Sequence, residues 1–186
     1  MPVIAVTLIE GYPADVRQRL CERLTDAAMA VIAAPAEGVT VFINEVAPAS
    51  YMRGRTAKTP GAAPRPPADI CLDFLDRIGA RDMEAAQAMV SDGFTMTFPG
   101  GARFTRLEDL ADWAAGRYRH IEKTILRVEE CPLGATVSVY VSGTLSGMWP
   151  DGAPFSGIRF IDRFDVAAGQ ITQQDVWNDL TPPQTT

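Results

Sequence analysis

A proline-rich stretch divides this chain into two parts and limits how either part can fold. Residues 56–67 read TAKTPGAAPRPP, with four prolines in twelve residues. Proline has no backbone N–H and a fixed φ, so this run is excluded from a helix interior and from a central strand. We predict an extended linker at 56–67. It separates an N-terminal domain at 1–55 from a C-terminal domain at 68–180, which is followed by a tail at 181–186.

The N-terminal domain has the pattern of a strand, a helix and a second strand. Val3–Ile9 and Val39–Val46 are apolar and rich in β-branched residues, which is typical of buried parallel strands. Between them, apolar residues recur every three or four positions from Val16 to Val31, which indicates an amphipathic helix. This order predicts a βαβ unit with parallel strands. A unit this small buries little surface, so we expect a homo-oligomer, as a dimer or larger.

The C-terminal domain changes from helical periodicity to strand alternation near His120. Helical spacing predicts two helices at 68–79 and 82–90, and Thr105–Glu108 matches a capping box that would start a third. Four alternating segments separated by short turns predict strands at 121–130, 135–148, 155–166 and 170–178. We therefore predict an α+β fold in which a curved antiparallel sheet packs on helices and encloses a conical cavity.

Charge, cysteine and histidine content narrow the function classes. The chain has 23 acidic against 17 basic residues and a net charge of −6, which disfavours nucleic acid and anionic membranes as partners. The sequence contains no apolar run of membrane-spanning length and no signal-peptide pattern at its N-terminus. Three scattered cysteines and one histidine argue against a disulfide framework and a metal site. We expect a cytoplasmic protein that takes a small-molecule substrate and needs no cofactor or metal.

Pro2 is the residue of the N-terminal domain with the clearest chemical potential. Met1 is normally removed before a second residue this small, and its removal leaves a prolyl secondary amine at the start of a predicted strand. Burial disfavours the charged form of such an amine. An unprotonated amine near neutral pH is a suitable general base. The alternative is that Pro2 is simply an exposed terminus.

The segments PVIAVTLIEGYPADVRQRL and VTVFINEVAPASYMRG resemble the 4-oxalocrotonate tautomerase family over roughly residues 2–55. The resemblance implies that Pro2 shuttles a proton between carbon and oxygen of a small enol or keto acid. It also implies assembly of βαβ units in pairs and often as hexamers. Two arginines that bind substrate carboxylate in that family are replaced here, and an aromatic residue is retained in kind. The candidate substrate-binding residues are Tyr12, Thr40, Tyr51 and Arg53.

The segments FLDRIGARDMEAAQAMVSDGFTMTFPGG and SGIRFIDRFDVAAGQITQQDVWNDL resemble the NTF2-like superfamily, particularly its SnoaL-like branch. That superfamily includes isomerases, polyketide cyclases, dehydratases and non-catalytic binding modules. Strand alternation places Asp162 among apolar neighbours, where a carboxylate is suited to proton transfer. The alternative is that Asp162 pairs with Arg159 or Arg163. The candidate residues of this second pocket are Asp162, Asp175, Trp177, Tyr140 and Tyr118. His120 is predicted at a helix end, in a capping or surface role.

Three functions remain open on the sequence. The first is a cofactor-independent isomerase that uses Pro2, with the C-terminal cone as a ligand-binding or assembly module. The second places a SnoaL-like isomerase, cyclase or dehydratase activity in the cone, with Asp162 or Asp175 as base. The third is a small-molecule-binding protein without catalytic activity.

Overall fold

The computed structural model describes residues 1–180 and separates into two compact units. Unit 1 runs from Met1 to Pro64, and unit 2 begins at Arg65. The predicted tail at 181–186 lies outside the described residues. Both units combine helices with sheets, which confirms the α+β class.

The predicted linker contains both irregular and regular backbone. Thr56 and Ala57 form a short strand, and Pro67 is the first residue of a helix. Residues 58–66 belong to neither a helix nor a strand. Proline at the first helical position is favoured because its missing N–H would have no partner inside the helix.

Unit 1 is a βαβ unit followed by a short hairpin. Its elements are β1 (Val3–Ile9), α1 (Ala14–Val31), β2 (Thr40–Val46), β3 (Met52–Arg53) and β4 (Thr56–Ala57). Strands β1 and β2 are parallel, with Val3 opposite Thr40 and Ile9 opposite Val46. Helix α1 packs against β2. None of residues 1–64 is buried, so this unit has no closed hydrophobic core of its own.

Unit 2 is a six-stranded sheet with three helices. Its elements are α2 (Pro67–Gly79), α3 (Met83–Gln87), β5 (Val90–Phe98), β6 (Ala102–Phe104), α4 (Leu107–Ala115), β7 (His120–Leu133), β8 (Thr136–Met148), β9 (Pro154–Ala167) and β10 (Gln170–Asn178). The strand order is β6-β5-β10-β9-β8-β7. All pairs are antiparallel except β5 and β10, which are parallel. The predicted antiparallel run of four strands is confirmed.

The hydrophobic core lies between one face of this sheet and the helices. Helix α2 packs on β7, β8 and β10. Phe74 of α2 is 1% exposed, and its ring meets the edges of Phe94 and Phe164 at centroid distances of 6.2 and 5.9 Å. Such edge-to-face pairs add to the stabilisation from burial. Unit 2 therefore has its own closed hydrophobic core, whereas unit 1 has none.

The third predicted helix is present, but its capping box and the predicted position of His120 at a helix end are wrong. Helix α4 begins at Leu107, after Arg106, and no side chain caps it, so the capping box around Thr105 is not formed. His120 lies at the start of β7 and not at a helix end, and its exposed ring pairs with Glu122. His120 lies in a strand because pairing with β8 has already begun before it: the backbone N–H of Arg119 donates to the carbonyl of Met148 at 2.8 Å.

Candidate functional site

Pro2 is held in place by the neighbouring strand. Its carbonyl oxygen accepts a hydrogen bond of 3.0 Å from the backbone N–H of Thr40. Pro2 is half-buried, while Met1 before it is 92% exposed. The parallel pairing of β1 and β2 therefore brings two of the predicted site residues, Pro2 and Thr40, to the same end of the sheet.

The other predicted site residues of unit 1 come in the chain after the strands, beyond the strand ends opposite to Pro2. Tyr12 comes after β1, and Tyr51 and Arg53 come after β2. The Tyr51 hydroxyl accepts a hydrogen bond of 3.1 Å from the Arg53 guanidinium. A seven-residue strand spans about 20 Å. Within one copy of unit 1, these residues therefore follow in the chain the strand ends opposite to Pro2.

The turn before Tyr12 depends on glycine. Gly11 has a φ of 130°, and a Cβ there would lie 2.9 Å from Cγ of Pro60. Any other residue would be strained at this φ and would press on the proline ring. Arg17, on the next helix, forms an ion pair with Glu45 of β2 and is already engaged within the unit.

Unit 2 contains a pair of charged side chains, Asp162 and Lys123, on the helix-covered face of its sheet. Asp162 of β9 is 0% exposed, and its Oδ2 accepts a hydrogen bond from the Lys123 ammonium of β7. The Lys123 nitrogen also lies 4.6 Å from the centroid of the Phe160 ring. Within residues 1–180, Oδ1 of Asp162 is a buried side-chain oxygen without a hydrogen-bond partner. The predicted apolar surroundings of Asp162 are therefore present, together with a cation.

The predicted pairing of Asp162 with an arginine is wrong. Arg159 pairs with Asp179 at 2.7 Å, and Arg163 pairs with Asp165 at 2.6 Å. Both arginines lie on the opposite face of β9, because neighbouring side chains of a strand point to opposite faces. The sequence pattern did not identify Lys123 as the partner of Asp162. Its position between Ile121 and Ile125, on the same apolar face of β7, was the one feature that pointed to it.

Burial and charge also affect the thiol next to this pair. Cys71 of α2 is 0% exposed. Burial first, and then the carboxylates of Glu130 and Asp162, raise the pKa of the Cys71 thiol. Such a thiol stays protonated at neutral pH and is a poor nucleophile.

Three predicted pocket residues lie on the other face of the sheet, away from Asp162. Asp175 and Tyr140 are the strand neighbours of Arg163, and Trp177 is the neighbour of Ile161. Asp175 accepts a hydrogen bond of 3.1 Å from Arg163. Trp177 and Tyr140 are 54% and 37% exposed. The structure does not bring these residues together with Asp162.

Tyr118 lies between α4 and β7 and is partly buried. Burial raises the pKa of its phenol, against a smaller opposing effect of Arg117. Arg117 itself lies over the Trp113 ring, 4.3 Å from its centroid. The Trp113 ring packs with Phe98 and Phe104 beside the core.

Neither a metal-binding cluster nor a membrane-spanning helix is found among the described residues. Within residues 1–180, no group of three or more histidine, cysteine or acidic side chains is arranged to hold a metal ion. No helix in that part of the chain is long and apolar enough to cross a bilayer.

Comparison with known proteins finds a family match within each unit. The sequence matches the family described as Tautomerase enzyme over residues 2–59 and the SnoaL-like domain family over residues 72–174. A probable tautomerase of Ralstonia nicotianae is 45% identical over 69 residues, which cover 37% of this chain and 96% of that protein.

Solved structures resemble the fold at low sequence identity. An NTF2-like protein of Burkholderia thailandensis has a TM-score of 0.52 and 18% identity, and covers 62% of this chain and 92% of its own. An NTF2-like protein of unknown function from Burkholderia pseudomallei has a TM-score of 0.51 and 12% identity, with coverages of 60% and 88%. TerC, co-crystallized with polyporic acid, has a TM-score of 0.50 and 15% identity, with coverages of 60% and 89%. At these identities the likeness concerns the fold.

Proposed function

This chain belongs to the tautomerase family through residues 2–59 and to the SnoaL-like family through residues 72–174, and on that basis we propose that it is a cofactor-independent keto–enol tautomerase with Pro2 as its acid–base catalyst. Both families support an isomerase-type activity. The substrate class is a small enol or keto acid. Unit 2 serves as a ligand-binding or assembly module.

The fixed position of Pro2 is the observation that carries this proposal. The hydrogen bond from Thr40 holds the proline carbonyl, so the ring nitrogen is placed by the strand pairing. The exposure of Met1 leaves it open to removal, which frees the secondary amine of Pro2. The amine then takes a proton from the enol hydroxyl and gives it to the carbon of the enol double bond that does not carry the hydroxyl, and the reverse order converts ketone to enol.

Tyr51 and Arg53 are suited to hold the substrate's oxygen atoms. A hydroxyl and a guanidinium 3.1 Å apart present several N–H and O–H donors to one small region. The guanidinium matches a carboxylate, and the hydroxyl can donate to the oxygen on which charge grows in the transition state. Thr40, beside Pro2, offers a further hydroxyl.

Completion of this site requires a second copy of the chain. Tyr51 and Arg53 follow the strand ends that lie about 20 Å from Pro2, so one copy does not supply both halves. The absence of any buried residue in residues 1–64 supports association. Val3 and Phe42 are 65% and 43% exposed, and their burial between copies would stabilise a dimer or larger homo-oligomer.

The test is ketonisation of phenylenolpyruvate and 2-hydroxymuconate by the full chain, followed by ultraviolet absorbance. Mass spectrometry first establishes that Met1 is absent. Pro2→Ala should lower the rate by about 10²- to 10⁴-fold. Pro64→Ala changes an exposed proline and should keep the wild-type rate. A wild-type rate in Pro2→Ala, or in protein that retains Met1, would contradict the proline mechanism.

A carboxylate base in unit 2 is the second candidate function, favoured by the free oxygen of buried Asp162. The alternative of a binding protein without catalysis predicts no turnover in any variant. An Asp162→Asn arm of the same assay separates the candidates. Activity that survives Pro2→Ala but is lost in Asp162→Asn would assign the chemistry to unit 2.

A further inference from the structure

The hairpin of β3 and β4 lies in a stretch of the chain that carries only positive charge. Residues 46–68 contain four basic and no acidic side chains, although the whole chain has a net charge of −6. One of the four, Arg65, pairs with an aspartate. The other three, Arg53, Arg55 and Lys58, are exposed and form no ion pair with any described residue. An exposed group of unpaired cations favours an anionic ligand.

Arg55 occupies a position in the hairpin turn that disfavours a side chain. Strands β3 and β4 pair with Arg53 opposite Thr56, which leaves Gly54 and Arg55 as a two-residue turn. Their φ angles are 57° and 64°. A tight hairpin turn of this kind needs a positive φ at both central residues, which glycine adopts without strain and an arginine does not. Backbone strain of this sort is concentrated at functional sites, so the Arg55 side chain is a candidate for a role in binding.

The turn also brings two guanidinium groups within reach of one ligand. Two residues apart, the Cα atoms of Arg53 and Arg55 are at most about 7 Å from each other. The Tyr51 hydroxyl, 3.1 Å from the Arg53 guanidinium, is neutral and leaves that charge uncompensated. A Cβ on Gly54 would have no atom within 4 Å, so the surface of the turn is open. Like charges this close repel each other, and an anion between them removes the repulsion.

We propose that Arg55 is a further substrate-binding residue, which holds the carboxylate of the enol or keto acid together with Arg53. Each guanidinium donates hydrogen bonds to the carboxylate oxygens. The Tyr51 hydroxyl remains free to donate to the oxygen on which charge grows in the transition state. This inference rests on the proposed tautomerase function for the class of substrate, whereas the contact with Arg55 is measured by binding alone.

The test is isothermal titration calorimetry on the full chain, after mass spectrometry has established that Met1 is absent. The first probe is cinnamate, which has the carbon skeleton and the carboxylate of phenylenolpyruvate but no enol hydroxyl, so it cannot tautomerise. The second probe is cinnamamide, in which a neutral amide of similar shape replaces the carboxylate. Cinnamate should bind the wild type about tenfold more tightly than cinnamamide, because only a carboxylate makes charge-assisted hydrogen bonds with the guanidiniums.

Two matched variants assign this preference to Arg55. Arg55→Gly removes the cation and relieves the strained φ, so it should weaken cinnamate binding about tenfold, leave cinnamamide binding unchanged and keep the urea midpoint at or above that of the wild type. Arg55→Asn, which also tolerates this φ, should have the same effect on binding. Arg81 is an exposed arginine of unit 2 with a φ of 60°. Arg81→Gly is therefore the same exchange elsewhere and should leave both affinities unchanged.

The outcomes separate this proposal from the proposed function. Pro2→Ala should retain the preference for cinnamate, so an effect of Arg55→Gly on binding stands even if Pro2→Ala keeps the wild-type ketonisation rate. Wild-type protein that does not bind cinnamate, or binds it no more tightly than cinnamamide, would overturn the proposal. Equal weakening of both probes in Arg55→Gly would overturn it as well, because a structural role alone would lower both affinities.

Discussion

The side chains of Lys123 and Asp162 form a hydrogen-bonded ion pair that reaches across the strand between them in the sheet. Lys123 lies on β7 and Asp162 on β9, with β8 between them, and the two residues are 39 positions apart in the sequence. The carboxylate is completely buried and the lysine side chain is 28% exposed. The pair therefore connects the edge of the sheet to its interior and places a carboxyl group inside an apolar core.

Removal of Lys123 alone should destabilise unit 2 strongly. Lys123→Met leaves Asp162 as an unpaired buried charge, which costs about 3–5 kcal/mol of unfolding free energy. The double variant Lys123→Met with Asp162→Leu removes both charges and should recover most of that loss. Urea unfolding measures both values, and Lys58→Met serves as the control. Additive losses in the double variant would show that the two residues are not energetically coupled.

Arg53 should contribute to substrate binding more than to the chemical step. Its guanidinium contacts the Tyr51 hydroxyl and is matched to a substrate carboxylate. Loss of one charge-assisted hydrogen bond costs about 1.5–3 kcal/mol, so Arg53→Met should raise KM by about 10- to 100-fold. Steady-state ketonisation of phenylenolpyruvate measures the change. Lys58→Met removes an exposed cation of the same unit and should leave KM unchanged; an equal effect of both variants would point to general electrostatics.

Self-association should depend on the exposed face of unit 1. Phe42 is 43% exposed on β2, and a charge there would have to be buried in an assembly. Phe42→Lys should therefore lower the sedimentation coefficient and the ketonisation rate together. Leu133→Lys, at a residue of unit 2 that is 61% exposed, is the matched control. A wild-type protein that sediments as a monomer at micromolar concentration would contradict the composite site.

The three cysteines should react with a thiol reagent in a fixed order. Cys131 is exposed, Cys21 is partly exposed and Cys71 is buried. The raised pKa of Cys71 further reduces its thiolate fraction. A disulfide-exchange reagent followed by absorbance should modify Cys131 first, and Cys71 only on unfolding. Cys131→Ser should remove the fast phase, and a fast phase that persists would assign it to another thiol.

The raised pKa of the Cys71 thiol also predicts that the free energy of unfolding falls at alkaline pH. The unfolded thiol loses its proton near the ordinary value of 9.0, while the folded thiol keeps it. Unfolding then releases a proton, so the contribution of Cys71 to stability is complete below that value and is lost as pH rises above it. Cys71→Ala should flatten the fall of the urea midpoint between about pH 8 and pH 10.

Local patterns in the sequence were sufficient to predict most helices and strands and to identify Pro2 as a candidate catalytic residue. Strand alternation and helical spacing depend on neighbouring residues, so the strand–helix–strand order of unit 1 and the last four strands of unit 2 were predicted correctly. The motifs around Pro2 consist of residues that are close together in the sequence, and they were enough to predict the tautomerase family. The same alternation placed Asp162 on an apolar strand face, where the structure has it.

Contacts between distant residues were decided only by the tertiary structure. The parallel pairing of β5 with β10 joins segments about 80 residues apart, and no local pattern encodes that neighbour. The same holds for Lys123 as the partner of Asp162, and for the position of Asp175 beside Arg163 on the opposite face. Strand order and register arise from packing of the whole sheet against its helices, whereas side-chain periodicity reports only on which face of its own element a residue lies.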